Sequence, residues 1–284
     1  MRRSALIGIL SAAVAALPTI AAPIYNNLTP NNLMAVASRP DTGTPFEIEA
    51  ADDFSLVNPS IITSASFIGV IVPGPNGGSS SISDVVAEIY RIFPLDSNTT
   101  RTAQVPTRAN SPSDVALTSR DSAASQISFI SSVLSVSFTA LNSVQPGGIH
   151  PAPNQRTLGN GPITGQEVQI NLTFSTPITL DAGHYFFVPQ VSLTNGAQFY
   201  WLSASRPISG ANTTPFDPDL QAWTRDENLD PDWLRVGTDI VGGVSPPTFN
   251  MAFSLDGTVV PEPGSISLVL SGLGLLAAIR RKLY

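Results

Sequence analysis

The sequence of 284 residues contains no cysteine, one lysine and two histidines, and these shortages exclude several kinds of chemistry. Without cysteine the chain has no disulfide, no thiolate nucleophile and no zinc site built on thiolates. His150 and His184 are too few for a histidine-rich metal site, and we expect each to be a hydrogen-bonded structural residue. The G-x-S-x-G and H-E-x-x-H motifs are also missing, so the sequence predicts neither a serine hydrolase of that kind nor a zinc protease.

Charged residues are scarce as well, at 12% of the chain, and the positive ones are concentrated at its ends. Arg2 and Arg3 lie at one end and the basic tail 280–282 at the other, which leaves nine arginines to face all 21 carboxylates. The middle of the chain therefore carries a formal charge of about −12. Because such a body repels phosphate backbones, nucleic acid is excluded as a partner.

The first 21 residues have the order of a secretory signal peptide. Arg2 and Arg3 precede an apolar run, Ala5–Leu17, and small residues follow it. Thr19 and Ala21 fit the −3 and −1 positions of a cleavage site. The sequence thus predicts a signal peptide over residues 1–21, with the secretion machinery as a partner.

The C-terminal end predicts a single transmembrane helix, over about residues 265–279. An apolar stretch of 14 residues, Ile266–Ile279, ends at the membrane-stop residues Arg280, Arg281 and Lys282. As a helix it spans roughly 21 Å, which is short for a membrane but workable when the basic side chains reach the interface. The positive-inside rule places the basic end in the cytoplasm and the body outside.

Pro261, Glu262 and Pro263 precede this apolar helix and basic tail, and the whole resembles the PEP-CTERM sorting signal of exopolysaccharide-producing Gram-negative bacteria. The resemblance implies recognition by a membrane-embedded exosortase, processing near the motif, and release to the cell surface or the extracellular space. The chain would be anchored in the inner membrane only transiently. The body also resembles uncharacterised exported proteins with this tail, at AADDFSL, EIYRIFP, HYFFVPQ and NLDPDWLRVG, and no known activity comes with that resemblance.

Between these segments, apolar and polar residues alternate with a period of two, which is the pattern of half-buried β-strands. No stretch between residues 40 and 258 keeps a helical period over three turns. We therefore predict an all-β protein, an antiparallel β-sandwich of jelly-roll type, with one extracellular domain over residues 22–258 and a sorting segment over 259–284. The strands are predicted at 46–56, 61–72, 86–93, 127–138, 168–174, 184–193, 199–203, 233–236 and 249–255.

The segment 216–239 is the most acidic part of the body, and it predicts a calcium site. Calcium takes six to eight hard oxygen ligands, which clustered carboxylates on a loop can supply. The alternative is a solvated loop in which the aspartates form turns and caps. The candidate ligands are Asp217, Asp219, Asp226, Asp230 and Asp232.

Four aromatic residues, Tyr200, Trp201, Trp223 and Trp233, are candidates for contact with sugar. Aromatic rings stack on the apolar faces of sugar rings. The alternative is core packing, because in a strand one of Tyr200 and Trp201 has to face inward.

Together these features predict a non-enzymatic exported protein of the cell surface or matrix, with a structural or sugar-contacting role in exopolysaccharide. The first alternative is a polysaccharide-active hydrolase or lyase using loop carboxylates, for which Asp52, Asp53 and Glu88 are available. The second is a protein that stays anchored in the membrane without processing. Apart from calcium, no cofactor is expected.

Overall fold

The computed structural model describes residues 22–42, 46–149, 156–205 and 221–260. The predicted signal peptide, the sorting residues Pro261, Glu262 and Pro263, the predicted anchor helix and its basic tail lie outside these residues, as do Asp217 and Asp219. No helix within the described ranges combines the length and the apolar character needed to cross a membrane.

Strands make up most of the described chain, and the alternation of the sequence explains why. One six-residue π-helix, Val236–Val241, is the helical element found in these ranges. The strands are β1 (Ala22–Asn26), β2 (Pro30–Ala37), β3 (Ile48–Leu56), β4 (Ser60–Val72), β5 (Ile82–Arg91), β6 (Thr118–Asp121), β7 (Ile127–Ala140), β8 (Ser143–Val144), β9 (Ile163–Leu180), β10 (Gly183–Leu193), β11 (Gln198–Ala204), β12 (Trp223–Asp226), β13 (Leu234–Arg235), β14 (Asn250–Met251) and β15 (Phe253–Val259).

The strands form two sheets. The larger has nine strands, with the order β1-β15-β4-β11-β2-β8, while β14 pairs with β11 and β9 joins β4 to β7. The smaller has six, in the order β13-β12-β3-β10-β5-β6. The β2–β8 pair is parallel and the other described pairs are antiparallel. The sheets form a curled half-barrel, which confirms the all-β prediction, whereas the jelly-roll sandwich stays a prediction.

The core lies where the inner faces of the two sheets meet, and aromatic rings dominate it. Phe253 on the larger sheet stacks on Tyr25 at 4.4 Å and, across the core, on Phe187 of the smaller sheet at 5.3 Å between ring centroids. Trp201 packs on Phe253 at 5.7 Å and donates its indole N–H to the Ala252 carbonyl at 2.9 Å. A ring cluster of this kind is worth more than its buried area alone, so it ties the sheets together.

Tyr200 and Trp201 are both buried, with 4% and 0% of their surface exposed. Their burial contradicts the predicted sugar contact for these two rings and agrees with the alternative of core packing. Trp201 faces the core, where it packs against Phe187 and Phe253, and Tyr200, which points to the opposite face of β11, is covered as well.

Truncating the central ring tests this packing. We expect Phe253→Ala to lower the free energy of unfolding by about 3–5 kcal/mol, since it opens a cavity among four rings that cannot close fully. Urea unfolding of the purified protein measures the change. Val136→Ala, at a side chain that is 84% exposed, is the control and should change stability by about 0.5 kcal/mol or less.

Candidate functional site

The outer face of the smaller sheet holds the densest group of buried polar side chains in the described chain. The β3–β12 register sets Arg225 directly opposite Glu49 and Trp223 opposite Ala51. A second apolar cluster covers the same face and includes Tyr90 and Trp233. Because the segments 93–117 and 227–233 lie over it, residues that alternation would leave in solvent are buried here.

Arg225 is the centre of this group. Its Nε donates to the Glu49 carboxylate, its Nη2 donates to the Tyr90 hydroxyl at 2.9 Å, and its guanidinium carbon lies 4.3 Å from the Trp233 ring centroid. Its Nη1 donates to the Asp114 carbonyl at 3.1 Å and contacts Asp230 at 2.8 Å. Burial acts to lower the pKa of Arg225, but the charge of Glu49 outweighs it and raises that pKa above its ordinary value.

Tyr90 links two carboxylates. Its oxygen lies 2.6 Å from Glu49 and 3.0 Å from Glu88. Burial, together with the charge of Glu49, raises the pKa of Glu88 to about 7. A phenol has one hydrogen to donate, so below that pH the protonated Glu88 donates to the Tyr90 oxygen and Tyr90 donates to Glu49. The Tyr90 hydroxyl and the carboxyl groups of Glu49 and Glu88 then each have a hydrogen-bond partner.

Asp232, in the segment 227–233, fastens the other covering segment, 93–117. Its carboxylate is fully buried, accepts the backbone N–H of Gln104 at 2.7 Å, and accepts a hydrogen bond from Arg101 Nη1 at 3.0 Å. Burial acts to raise the pKa of Asp232, but these hydrogen bonds and the nearby arginine charges hold it below its ordinary value. Arg108, which pairs with Asp114, lies 3.4 Å from the same carboxylate. The segment 93–117 is therefore held by ionic contacts to the segment 227–233 and, near its C-terminal end, by backbone hydrogen bonds from Ser113 and Leu117 to β5.

Trp223 and Trp233 are enclosed by this arrangement, and both are almost fully buried. Trp233 donates its indole N–H to the Ser113 carbonyl at 3.2 Å and packs edge-on against Tyr90. Their burial contradicts the predicted sugar contact and agrees with core packing. The covering segments explain the difference, since the sequence places these rings on the outer face of a sheet but does not show what lies over it.

The three described aspartates of the predicted calcium site do not converge. Asp226 accepts the backbone N–H groups of Asn228 and Leu229 and so forms a local turn. Asp230 pairs with Arg225, and Asp232 with Arg101. No group of three histidine or acidic side chains that could hold a metal ion is found among the described residues. The three described aspartates therefore do not form the cluster of ligands that a calcium ion requires. Asp217 and Asp219 lie outside the described residues.

The carboxylates available to the enzyme alternative are divided between the two faces of the smaller sheet. Asp52 points into the core, where its Oδ2 accepts the Met251 N–H at 2.8 Å. Burial, with the charge of Asp53, raises the pKa of Asp52 well above its ordinary value. Asp53 contacts His184 Nε2 at 2.6 Å, which agrees with a structural role for that histidine. Asp52 and Glu88 therefore cannot act on one substrate.

One acidic pocket opens beside Arg225, with a volume of about 130 Å³. Burial and the charge of Glu49 raise the pKa of Glu47 in this pocket. Ligand sites usually occupy about 300–1,000 Å³, so the pocket is too small for a sugar ring. Its described lining residues are Asp41, Glu47, Glu49, Asp226, Glu227 and Asp230.

The buried ion pair can be tested with charge-removing variants. We expect Arg225→Met to lower the free energy of unfolding by about 3–5 kcal/mol, because Glu49 is left buried without its counter-charge. Adding Glu49→Gln should recover about half of that loss or more. Urea unfolding measures both changes.

Arg91→Met is the matched control, since the Arg91–Asp96 pair is partly exposed and should contribute about 1 kcal/mol or less. Equal losses at Arg225 and Arg91, or no recovery in the double variant, would contradict the central role of the buried pair.

The raised pKa of Glu88 makes stability depend on pH. The folded protein holds this proton more tightly than the unfolded chain, whose pKa is near 4.5. Its contribution is complete below that value and is lost as the pH rises to about 7. Glu88→Gln keeps a neutral group there, so between these limits wild type should lose about 1–3 kcal/mol relative to the variant. Parallel curves would contradict the assignment. Glu227→Gln, which removes a carboxylate at an exposed position, is the control.

Sequence reasoning missed Arg225, Glu49 and Tyr90 because each gains its role from a partner far along the chain. Glu49 and Arg225 are 176 residues apart. The alternation within β3 and β5 placed Glu49 and Tyr90 on strand faces but did not pair them. The one local signal was the presence of arginine between tryptophan and acidic residues in 223–226.

Comparison with known proteins identifies the C-terminal segment. Residues 259–282 match the model of the PEP-CTERM protein-sorting motif, which confirms the sorting signal predicted at Pro261, Glu262 and Pro263. Neither the curated proteins nor the solved structures contain a match to this chain. The chain therefore carries the PEP-CTERM sorting motif of exosortase substrates.

Proposed function

We propose that this protein is a non-enzymatic component of the cell surface or extracellular matrix, exported and then processed by an exosortase. The observation that carries the proposal is the sorting motif at residues 259–282, which supports export, transient anchoring and exosortase as the processing partner. The signal peptide over 1–21, the transmembrane helix over 265–279 and the jelly-roll form of the sandwich are parts of this proposal.

A structural role for the body is supported by the way its polar groups are used. Arg225 binds Glu49 of β3, and Asp232 binds Arg101 and the backbone of Gln104, so these charges are paired within the protein. The acidic pocket beside them is smaller than a sugar site. These side chains stabilise a closed surface, which suits a protein that persists outside the cell in contact with exopolysaccharide.

One observation favours the polysaccharide-active alternative. Glu88 has a pKa near 7, the range of a general acid, and shares Tyr90 with the Glu49 carboxylate. Glu49, however, is held by Arg225 beneath the covering segment, so it is not free to act as the second carboxylate. Shortening of exopolysaccharide chains by the purified protein would overturn the non-enzymatic proposal.

Replacing the charged residue of the motif tests the sorting part. We expect Glu262→Ala to abolish processing in a host that contains the exosortase, because the Pro-Glu-Pro part of the motif loses its one charge. Mass spectrometry of the exported protein follows it: wild type should appear as a chain that ends near Pro263, and the variant should keep the mass of the uncut C-terminus.

Glu227→Ala removes the same charge from an exposed site in the body and should be processed like wild type. Unchanged processing of Glu262→Ala would refute recognition of this motif. Retention of the full C-terminus in both proteins would favour the permanently anchored alternative.

A further inference from the structure

Arg39 is a buried arginine whose hydrogen-bond acceptors are neutral. It is 8% exposed and lies just after β2, where its backbone forms a bridge with Ile48. Its Nε donates to the Phe46 carbonyl and its Nη1 to the Gln198 side-chain oxygen, both at 2.7 Å. The guanidinium carbon is 5.0 Å from the Phe46 ring centroid. These contacts fix the orientation of the side chain.

No carboxylate forms an ion pair with Arg39 within the part of the chain that the structure describes. Burial lowers the pKa of Arg39, and the effect that opposes this comes from the phenol of Tyr200 and not from a carboxylate. By contrast, hydrogen bonds to aspartates raise the pKa values of Arg91 and Arg101. A buried charge without a counter-charge is unfavourable, so this guanidinium is matched to an anion from outside.

Arg39 also lines a pocket of about 380 Å³, which we call the Arg39 pocket, between the ends of β10 and β11 and residues 39–42. The volume falls within the range of about 300–1,000 Å³ found for small-molecule sites. Eleven described residues line it, and Arg39 is the one charged residue among them. In a body with a formal charge of about −12, the described lining of this pocket carries a positive charge.

The remaining lining suits a ring that carries hydroxyl groups. Ser83 and Ser192 supply hydroxyls that can donate or accept hydrogen bonds. Leu193, which is partly exposed, supplies apolar surface for the C–H groups of a sugar. A guanidinium has five N–H donors, and two of them are used by Phe46 and Gln198. Those that remain can bind one carboxylate in the bidentate manner.

We propose that the Arg39 pocket binds a carboxylate-bearing sugar, a uronic acid unit of an acidic exopolysaccharide, with its carboxylate on Arg39. The sugar part of this proposal rests on the proposed function, whereas the carboxylate part rests on the uncompensated charge of Arg39. A small organic acid would offer the same charge, and the test separates these two sources.

Calorimetric titration of the full-length protein in mild detergent tests the proposal, with glucuronate, galacturonate, glucose and acetate as probes. We expect either uronate to bind about tenfold more tightly than glucose or acetate. Equal affinity for glucose would overturn the role of Arg39. Equal affinity for acetate would overturn the sugar class, and the absence of uronate binding would overturn the pocket altogether.

Two variants locate the site. Arg39→Gln removes the charge but also alters a buried contact, so it can fail to fold. Ser83→Glu avoids this difficulty because residue 83 is exposed, and it places a carboxylate at the pocket that should weaken uronate binding by about tenfold or more. Ser132→Glu, an exposed position on β7 in the larger sheet, adds the same charge elsewhere and should bind like wild type. Equal binding by the two glutamate variants would contradict the assignment.

A parallel binding assay with an acidic exopolysaccharide separates this proposal from the proposed function. Loss of polymer binding in Ser83→Glu alone is expected. Polymer binding that persists in Ser83→Glu would overturn the pocket while leaving a matrix role intact. Binding of free uronate without binding of polymer would instead contradict the exopolysaccharide role.

Discussion

Arg225 lies where β12, β3 and the two covering segments meet, and its ion pair with Glu49 is the contact on which the outer face of the smaller sheet depends. A charge buried at such a place destabilises the fold unless each of its donors has an acceptor. Here a carboxylate, a phenol and backbone carbonyls provide them, and two aromatic rings flank the guanidinium. The arrangement makes the covering segments part of the folded unit, although they contain few strand residues.

The consequence for function is that most of the conspicuous side chains of the body serve its own structure. The four aromatic rings that a sugar could have stacked on are buried, and the described aspartates accept hydrogen bonds from the protein. Arg39 differs from them, since it is buried beside a pocket with no described carboxylate as a partner. The two arginines thus have different roles. Arg225 is neutralised within the protein and stabilises the fold, whereas Arg39 is the proposed binding residue for an external anion.

Alternation of the sequence predicted the strands that have one apolar face, such as β5 and β9, because that pattern is local. It missed β12, whose residues Thr224, Arg225 and Asp226 are polar and yet buried. Their partners come from segments distant in sequence, which no local period reveals. The sorting motif was readable for the opposite reason, since its function resides in a short contiguous segment. The Arg39 pocket was not readable, because its walls come from separate parts of the chain.

Hydrogen exchange of residues 93–117 in the exported protein, followed by mass spectrometry, tests the central claim most directly. If the Asp232 carboxylate and its arginines hold this segment, the amide of Gln104, which donates to that carboxylate, should exchange about as slowly as the amides of β5. Exchange at the rate of an open loop would contradict the account. The outer face would then be an accessible cleft that exposes Glu88 and the tryptophans, and the enzymatic alternative would regain its site.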